Sequence, residues 1–91
     1  MAALRRTIDA HDQGLLVQLA QRRDLISRAA EIKQDTGLPA RIDERVEEVV
    51  ARVRGGAGRH GLDPDLMERI WRDLIEAAIA LEEEHFQQHQ A

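Results

Sequence analysis

The sequence predicts an all-α fold of three helices, with one long N-terminal helix. Apolar residues recur every three to four positions over most of the chain, and Gly and Pro punctuate the stretches between these runs. One Trp, one Phe and no Tyr are too few aromatic residues for an all-β domain. A length of 91 residues indicates one small domain over residues 1–91.

The first helix is predicted from about Ala3 to Gln34, which makes it roughly 48 Å long. Gly37 suits a helix C-terminus, and Pro39 prevents continuation. Steps of three and four residues along this helix trace one continuous stripe, the seam. Its members are Arg5, Ile8, Asp12, Leu15, Leu19, Arg22, Ile26, Ala29 and Lys33.

The second helix is predicted over "ERVEEVVARVR", with Asp43 as its N-terminal cap. The glycine-rich "GGAGRHG" is expected to end it. Its apolar stripe contains Val46, Val49, Val50 and Val53.

The third helix has the clearest start signal in the chain. Asp63 is a natural N-cap and Pro64 fits the first helical position. The helix is expected to reach about His85, with "EEEHFQQHQA" as a frayed tail, and Trp71 is expected in the core.

Composition excludes several classes of function. A formal net charge of −4 disfavours nucleic-acid binding, and no apolar run is long enough for a membrane span. Without Cys there is no thiol nucleophile, and the four His show no convincing metal spacing. The histidine spacing leads us to expect no bound metal. With no secretory h-region in "MAALRRTIDAHD", we expect a cytoplasmic protein.

The lengths of the helices predict a homodimer. The second and third helices, at about 20 Å and 35 Å, are too short to cover the apolar stripe of the first helix, which is about 48 Å long. A chain this short also has little core to spare. Antiparallel pairing of two long helices would cover the stripe.

Two arginines and a lysine interrupt the seam. A single seam cation usually packs its stem and extends its charged end to water. Three together need anions, which Asp12, carboxylates on another helix or a ligand could supply. Arg22 and Lys33 lie about 16 Å apart along one face, whereas Arg5 lies about 25 Å from Arg22. Antiparallel pairing would bring the partner's Arg5 to them, forming a cationic pocket suited to a small dicarboxylate.

These residues resemble a known family. "LRRTIDAHDQGLLVQLAQRRDLISRAAEIK" is similar to the first helix of the all-helical (AroQ-type) chorismate mutases. "PARIDER" resembles their turn into the second helix, and "GLDPDLMERIWRDLIEAAI" resembles their third helix. The resemblance covers nearly the whole chain. It implies an intertwined homodimer with two active sites.

The resemblance implies rearrangement of chorismate to prephenate, with residue roles carried over by position. Arg5 of the other subunit, Arg22 and Arg45 would hold the two carboxylates, and Lys33 would hydrogen-bond the ether oxygen of the breaking bond. A [3,3] rearrangement needs no cofactor, nucleophile or metal. Locking the reactive conformer and placing cations at the developing charge would suffice.

Two positions at the start of helix 2 depart from the family pattern. The family commonly has Asp and Glu around the ring hydroxyl, where this chain has Ile42 and Val46. This departure leaves two explanations open. Either the sequence has drifted at these positions without a change of substrate, or the substrate carries a different substituent on its ring. Both 4-amino-4-deoxychorismate mutase and isochorismate-pyruvate lyase therefore stay as alternatives. A non-catalytic helical dimerisation module is the alternative from another class, which seam cations disfavour.

Helix 3 departs from the pattern as well, with Ala78 and Glu82 in place of the common Ser and Gln. Glu82 opens a run of three glutamates, and charge runs are typical of solvated surface. If Glu82 faces the pocket, only its protonated form could donate to the ether oxygen. Activity would then rise toward acidic pH.

Overall fold

The computed structural model describes residues 1–89 and consists of three helices. They are α1 (Ala2–Thr36), α2 (Asp43–Arg59) and α3 (Pro64–Gln88). No strand occurs among the described residues, so the all-α prediction is confirmed. None of the helices in this part of the chain combines the length and apolarity that crossing a membrane requires.

Helix α1 has 35 residues and dominates a molecule that extends 56 Å along its longest axis. Gly37 ends it with a left-handed backbone at φ 74°, which glycine adopts without steric cost. The Leu38 N–H then donates to the Lys33 carbonyl at 2.9 Å. The predicted bounds lie within two residues of the observed ones.

Helix α2 differs from the prediction at both ends. Ile42 is its N-cap residue, without a side-chain cap bond, and Asp43 lies inside the first turn, where its charge suits the helix dipole. The glycine-rich segment does not end the helix, which continues to Arg59. Burial of Ala57 against the rest of the fold offsets the poor helix propensity of the glycines. The actual stop is Gly61 at φ 69°, where the Leu62 N–H donates to the Ala57 carbonyl at 2.8 Å.

Helix α3 begins as predicted and ends later. The Asp63 carboxylate accepts from the Asp65 N–H at 2.9 Å, with Pro64 in the first turn. The chain is helical as far as Gln88, so the expectation of a frayed tail was wrong up to that residue. Phe86 packs against the core, and the Gln34 side-chain amide donates to the His89 carbonyl at 2.9 Å. Residues 90 and 91 of the expected tail lie outside the described residues.

Helix α3 is the centre of the fold. Within residues 1–89, α1 and α2 both pack on α3, and their backbones do not approach each other closely. The core lies mainly between α2, α3 and the α1–α2 turn, and consists of Ala40, Val50, Ile75 and Ile79, with Val46, Val49 and Phe86 packed against it. Trp71, expected in the core, is half-buried beside a small apolar cavity of about 220 Å³.

Ion pairs join α2 to α3 on their outer side. Arg54 contacts Asp65 at 2.8 Å and Glu68 at 3.0 Å. Arg72 contacts Glu68 at 2.8 Å and Glu47 at 3.1 Å. The hydrogen bond from Arg72, supported by that from Arg54, holds the pKa of Glu68 below its ordinary value. Glu68 therefore stabilises the fold in its ionised form.

Candidate active site

A cavity of about 230 Å³ opens between α1, α2 and α3 beside the α1–α2 turn. Because the backbones of α1 and α2 stay apart, both helices contribute walls across a gap whose floor is α3. Its lining comprises Arg22, Ile26, Ala29, Lys33, Ala40, Ile42, Arg45, Val46, Val49, Ile75, Ala78, Ile79 and Glu82. The cavity therefore combines an apolar wall with a few charged side chains, as ligand sites usually do.

Lys33 is the most constrained cation of the cavity, with a side chain only 19% exposed. Its ammonium donates to the Ala40 carbonyl at 2.9 Å and to Oε2 of Glu82 at 2.7 Å. An ammonium has three N–H donors. One donor therefore remains for a molecule bound in the cavity.

Glu82 is buried, with 3% of its surface exposed. The sequence left open whether Glu82 faces the pocket or is solvated, as charge runs usually are; Glu82 lines the cavity, whereas Glu83 and Glu84 are exposed. Helical periodicity explains the difference, because Ile75, Ile79 and Glu82 lie on one face of α3. The buried carboxylate is stabilised by its ion pair with Lys33. The anion for this seam cation thus comes from another helix.

Arg22 and Arg45 flank the cavity from α1 and α2. Arg45 is exposed and contacts Glu48, one turn further along α2, at 2.5 Å. Among the described residues, Arg22 makes no ion pair within 4.0 Å, which leaves its guanidinium available to a ligand. With Lys33 and Glu82, these side chains carry three positive charges against one negative charge, so the cavity favours an anion.

Ile42, Val46 and Ala78 form apolar parts of the wall. Their side chains carry no hydrogen-bonding group. A polar substituent of a bound molecule that faced this part of the wall would need a backbone group or a water molecule as its partner.

Arg5 is the predicted site residue that this chain does not bring to the cavity. It lies in the exposed N-terminal half of α1, where residues 1–19 are all exposed. The helix is straight enough to extend the molecule to 56 Å, so its two ends cannot meet. The other seven predicted site residues all line the cavity.

Ala40 is the polar contributor that sequence reasoning missed. Its role depends on a main-chain carbonyl, and the identity of a residue says nothing about where its carbonyl points. Five further lining residues are apolar: Ile26, Ala29, Val49, Ile75 and Ile79. The apolar periodicity of the three helices indicated that these positions face inward, although not that they border a cavity.

Comparison with known proteins identifies the family. The sequence model described as chorismate mutase type II matches residues 4–83. This chain belongs to the chorismate mutase type II family. The resemblance is thereby confirmed, as is the all-α class of the fold expected from it, and the chain is an enzyme of the isomerase kind. Related chains differ in length and in the reaction that their names specify.

A chorismate mutase of Methanocaldococcus jannaschii is 31% identical over 90 residues, covering 99% of this chain and 91% of that protein. A T-protein of Enterobacter agglomerans is 37% identical over 75 residues, covering 82% of this chain but 20% of that protein. A 4-amino-4-deoxychorismate mutase of Streptomyces pristinaespiralis is 32% identical over 82 residues, covering 90% of this chain and 64% of that protein. The chain thus spans nearly the whole of the first protein and about a fifth of the T-protein.

Proposed function

We propose that this protein catalyses the [3,3] rearrangement of chorismate to prephenate. The observation that carries the proposal is the fixed ammonium of Lys33 in a cavity flanked by Arg22 and Arg45. In this reaction a C–O bond breaks and a C–C bond forms within one molecule, so no atom is exchanged with the protein. The relatives named as mutases of chorismate and of its amino analogue support the assignment.

The residue roles follow from the charge that develops during the rearrangement. Negative charge grows on the ether oxygen as the C–O bond breaks, and the remaining N–H of Lys33 is placed to stabilise it. Arg22 and Arg45 bind the substrate carboxylates and hold the reactive chair-like conformer. Arg45 must exchange its contact with Glu48 for the substrate, which the exposure of that ion pair permits.

We also propose that the active form is a homodimer with two shared sites. Large apolar side chains on the N-terminal half of α1 are exposed, including Ile8 at 50% and Leu15 at 61%. An apolar surface of this extent marks an interface. The gap between α1 and α2 gives the partner's α1 a place to pack, and antiparallel pairing brings the partner's Arg5 to the cavity.

Complementation between two inactive variants tests the shared site. Arg5→Ala and Lys33→Ala each damage both sites of their own homodimer. A hybrid of the two has one site with intact Arg5 and Lys33, and one that lacks both. Random exchange at equal amounts should restore about a quarter of the wild-type activity. If mixing restores none, or if a monomer carries full activity, the shared site is excluded.

The substrate is tested by incubating the purified protein separately with chorismate, isochorismate and 4-amino-4-deoxychorismate. Prephenate from chorismate supports the proposal. Salicylate with pyruvate from isochorismate indicates a lyase on the same fold. Turnover of the third compound alone reassigns the protein to the amino analogue.

The amino analogue is the second candidate, because a specific observation favours it. Ile42 and Val46 offer no side-chain partner to a ring hydroxyl, and a relative named for the amino compound matches most of the chain. Substituting Ile42→Asp and Val46→Glu should shift the ratio of kcat/KM for the two substrates if this wall selects between them. An unchanged ratio would remove the support for this candidate.

A non-catalytic dimerisation module is distinguished by ligand binding. A dicarboxylate mimic of the transition state should raise the Tm of the wild-type protein, since only an intact pocket binds it. The Lys33→Ala variant serves as the control and should show little increase. We further propose a cytoplasmic location, in keeping with a chain that contains no Cys. Cell fractionation tests this location.

A further inference from the structure

The carbonyl that accepts from Lys33 is fixed from both of its sides. Ala40 is 7% exposed and packs in the core with Ile75 and Ile79. The next residue, Arg41, contacts Oε2 of Glu76 through its guanidinium at 2.5 Å. The peptide group between Ala40 and Arg41 is planar, so its orientation depends on how both residues are held.

Helix α3 thereby controls both acceptors of the Lys33 ammonium. It supplies Glu82 directly, and its Glu76 contacts Arg41, the residue that follows the Ala40 carbonyl. Glu76 and Glu82 lie about 9 Å apart along the helix. The hydrogen bond from Arg41 also keeps the pKa of Glu76 below its ordinary value, so this carboxylate stays ionised at neutral pH.

We propose that Arg41 and Glu76 are positioning residues that orient the Lys33 ammonium for the rearrangement; this proposal rests on the function proposed above. An ammonium group rotates freely unless its donors are engaged. With two acceptors fixed, the third N–H has one direction, into the cavity. Such preorganisation is what makes a donor effective toward charge that appears only in the transition state.

The same pair contributes little to the stability of the fold. Its side chains are 44% and 58% exposed, and exposed ion pairs stabilise proteins weakly. An effect of this pair on turnover can therefore be measured apart from an effect on stability. Removing the pair should reduce turnover while leaving the Tm nearly unchanged.

The test compares Arg41→Ala and Glu76→Gln with the control Arg54→Ala. Arg54 also joins two elements by an ion pair to α3, but it does not line the cavity. We expect kcat to fall about two- to fivefold in the first two variants, the most that an exposed ion pair can supply. KM should change by less than about twofold, because the lost orientation matters in the transition state. Arg41→Lys should recover part of kcat, and Arg54→Ala should retain it.

A double-substitution cycle asks whether Arg41 acts through Lys33. In a Lys33→Ala background, Arg41→Ala should reduce the residual rate no further, because no ammonium remains to be oriented. An equal reduction in both backgrounds would overturn the proposal. An Arg54→Ala loss as large as that of Arg41→Ala would do the same, since it would indicate a general effect on the fold.

A readout independent of turnover keeps this proposal separate from the proposed function. In an NMR spectrum that links the Arg41 amide to the preceding carbonyl, Arg54→Ala should leave the ¹³C shift of Ala40 unchanged. Glu76→Gln should move it. If it does not move, the positioning proposal fails whatever the activity. If it moves while the wild-type protein turns over none of the three substrates, the function fails and the structural coupling stands.

Discussion

The two halves of α1 have opposite surroundings within one uninterrupted helix. From Ala20 onward the helix packs on α3, buries Ala30, and places Arg22 and Lys33 at the cavity. Before Ala20 every residue is exposed, although the apolar periodicity is as strong there. The chain thus covers one half of its longest helix by itself and leaves the other half exposed, where the proposed dimer would place a second protomer. The difference teaches that a periodic apolar seam does not by itself tell whether the same chain buries it.

The largest expected effect comes from the packed half of α1, which runs from Ala20 onward. Lys33→Ala should lower kcat by about a hundred- to a thousandfold, because it removes a preorganised donor to the ether oxygen. Steady-state kinetics with chorismate measures this. Arg28→Ala is the matched control, since Arg28 lies on the same helix, pairs only with Glu31 and does not line the cavity. Equal kinetics for Lys33→Ala and wild type would contradict the assigned role.

The exposed half should respond to a charge placed on its seam. Leu15→Asp should raise the dimer dissociation constant by at least about a hundredfold, since a two-fold interface repeats the buried charge in both protomers. Sedimentation velocity over a dilution series measures the change. Gln13→Asp, which adds the same charge on the opposite side of the helix, should leave the dimer intact. A dimer that tolerates Leu15→Asp would place the interface elsewhere.

A smaller effect concerns the buried carboxylate that faces the packed half. Glu82 accepts from the Lys33 ammonium at 2.7 Å, but its negative charge opposes the negative charge that grows on the ether oxygen. Glu82→Gln keeps an oxygen acceptor and removes that charge, so kcat should rise by up to about tenfold. Steady-state kinetics of both proteins measures this. A fall in kcat as large as that of Lys33→Ala would contradict this account of Glu82.

The smallest expected effect lies away from α1, in the ion pairs between α2 and α3. The pKa of Glu68 is lowered by folding, so its contribution to stability is present above the unfolded pKa. This contribution is lost as pH falls through the lowered folded pKa. Glu68→Gln should therefore reduce the Tm by a few degrees at pH 7, and the difference should vanish in strong acid. Thermal melts followed by circular dichroism test this, with the exposed Glu83→Gln as the control. A difference that persists in acid would assign the effect to packing.

Much of the fold could be predicted from the sequence because its signals are local. The Asp63–Pro64 start of α3 and the Gly37 end of α1 depend on backbone preferences of single residues, and both were found where expected. The end of α2 was not, because burial of Ala57 outweighs the local cost of the glycines. Such a tertiary effect has no local signature.

The site residues also differ in whether local sequence signals indicate them. Seam spacing indicated Arg22 and Lys33, and both line the cavity. Helical spacing placed Glu82 on the face of Ile75, whereas the run of three glutamates favoured a solvated side chain, so the sequence left the burial of Glu82 open. The acceptor role of the Ala40 carbonyl depends on the path of the turn, which no residue type encodes.

Lys33 is bound to the α1–α2 turn at both its main chain and its side chain. Its carbonyl accepts from the Leu38 N–H, and its ammonium donates to the Ala40 carbonyl, so the chain closes one ring over residues 33–38 and a larger one over residues 33–40. The number of residues in each ring is thereby set. Adding or deleting a single residue between Lys33 and Ala40 would disturb at least one ring, so we expect this connection to tolerate changes of length less well than surface loops ordinarily do.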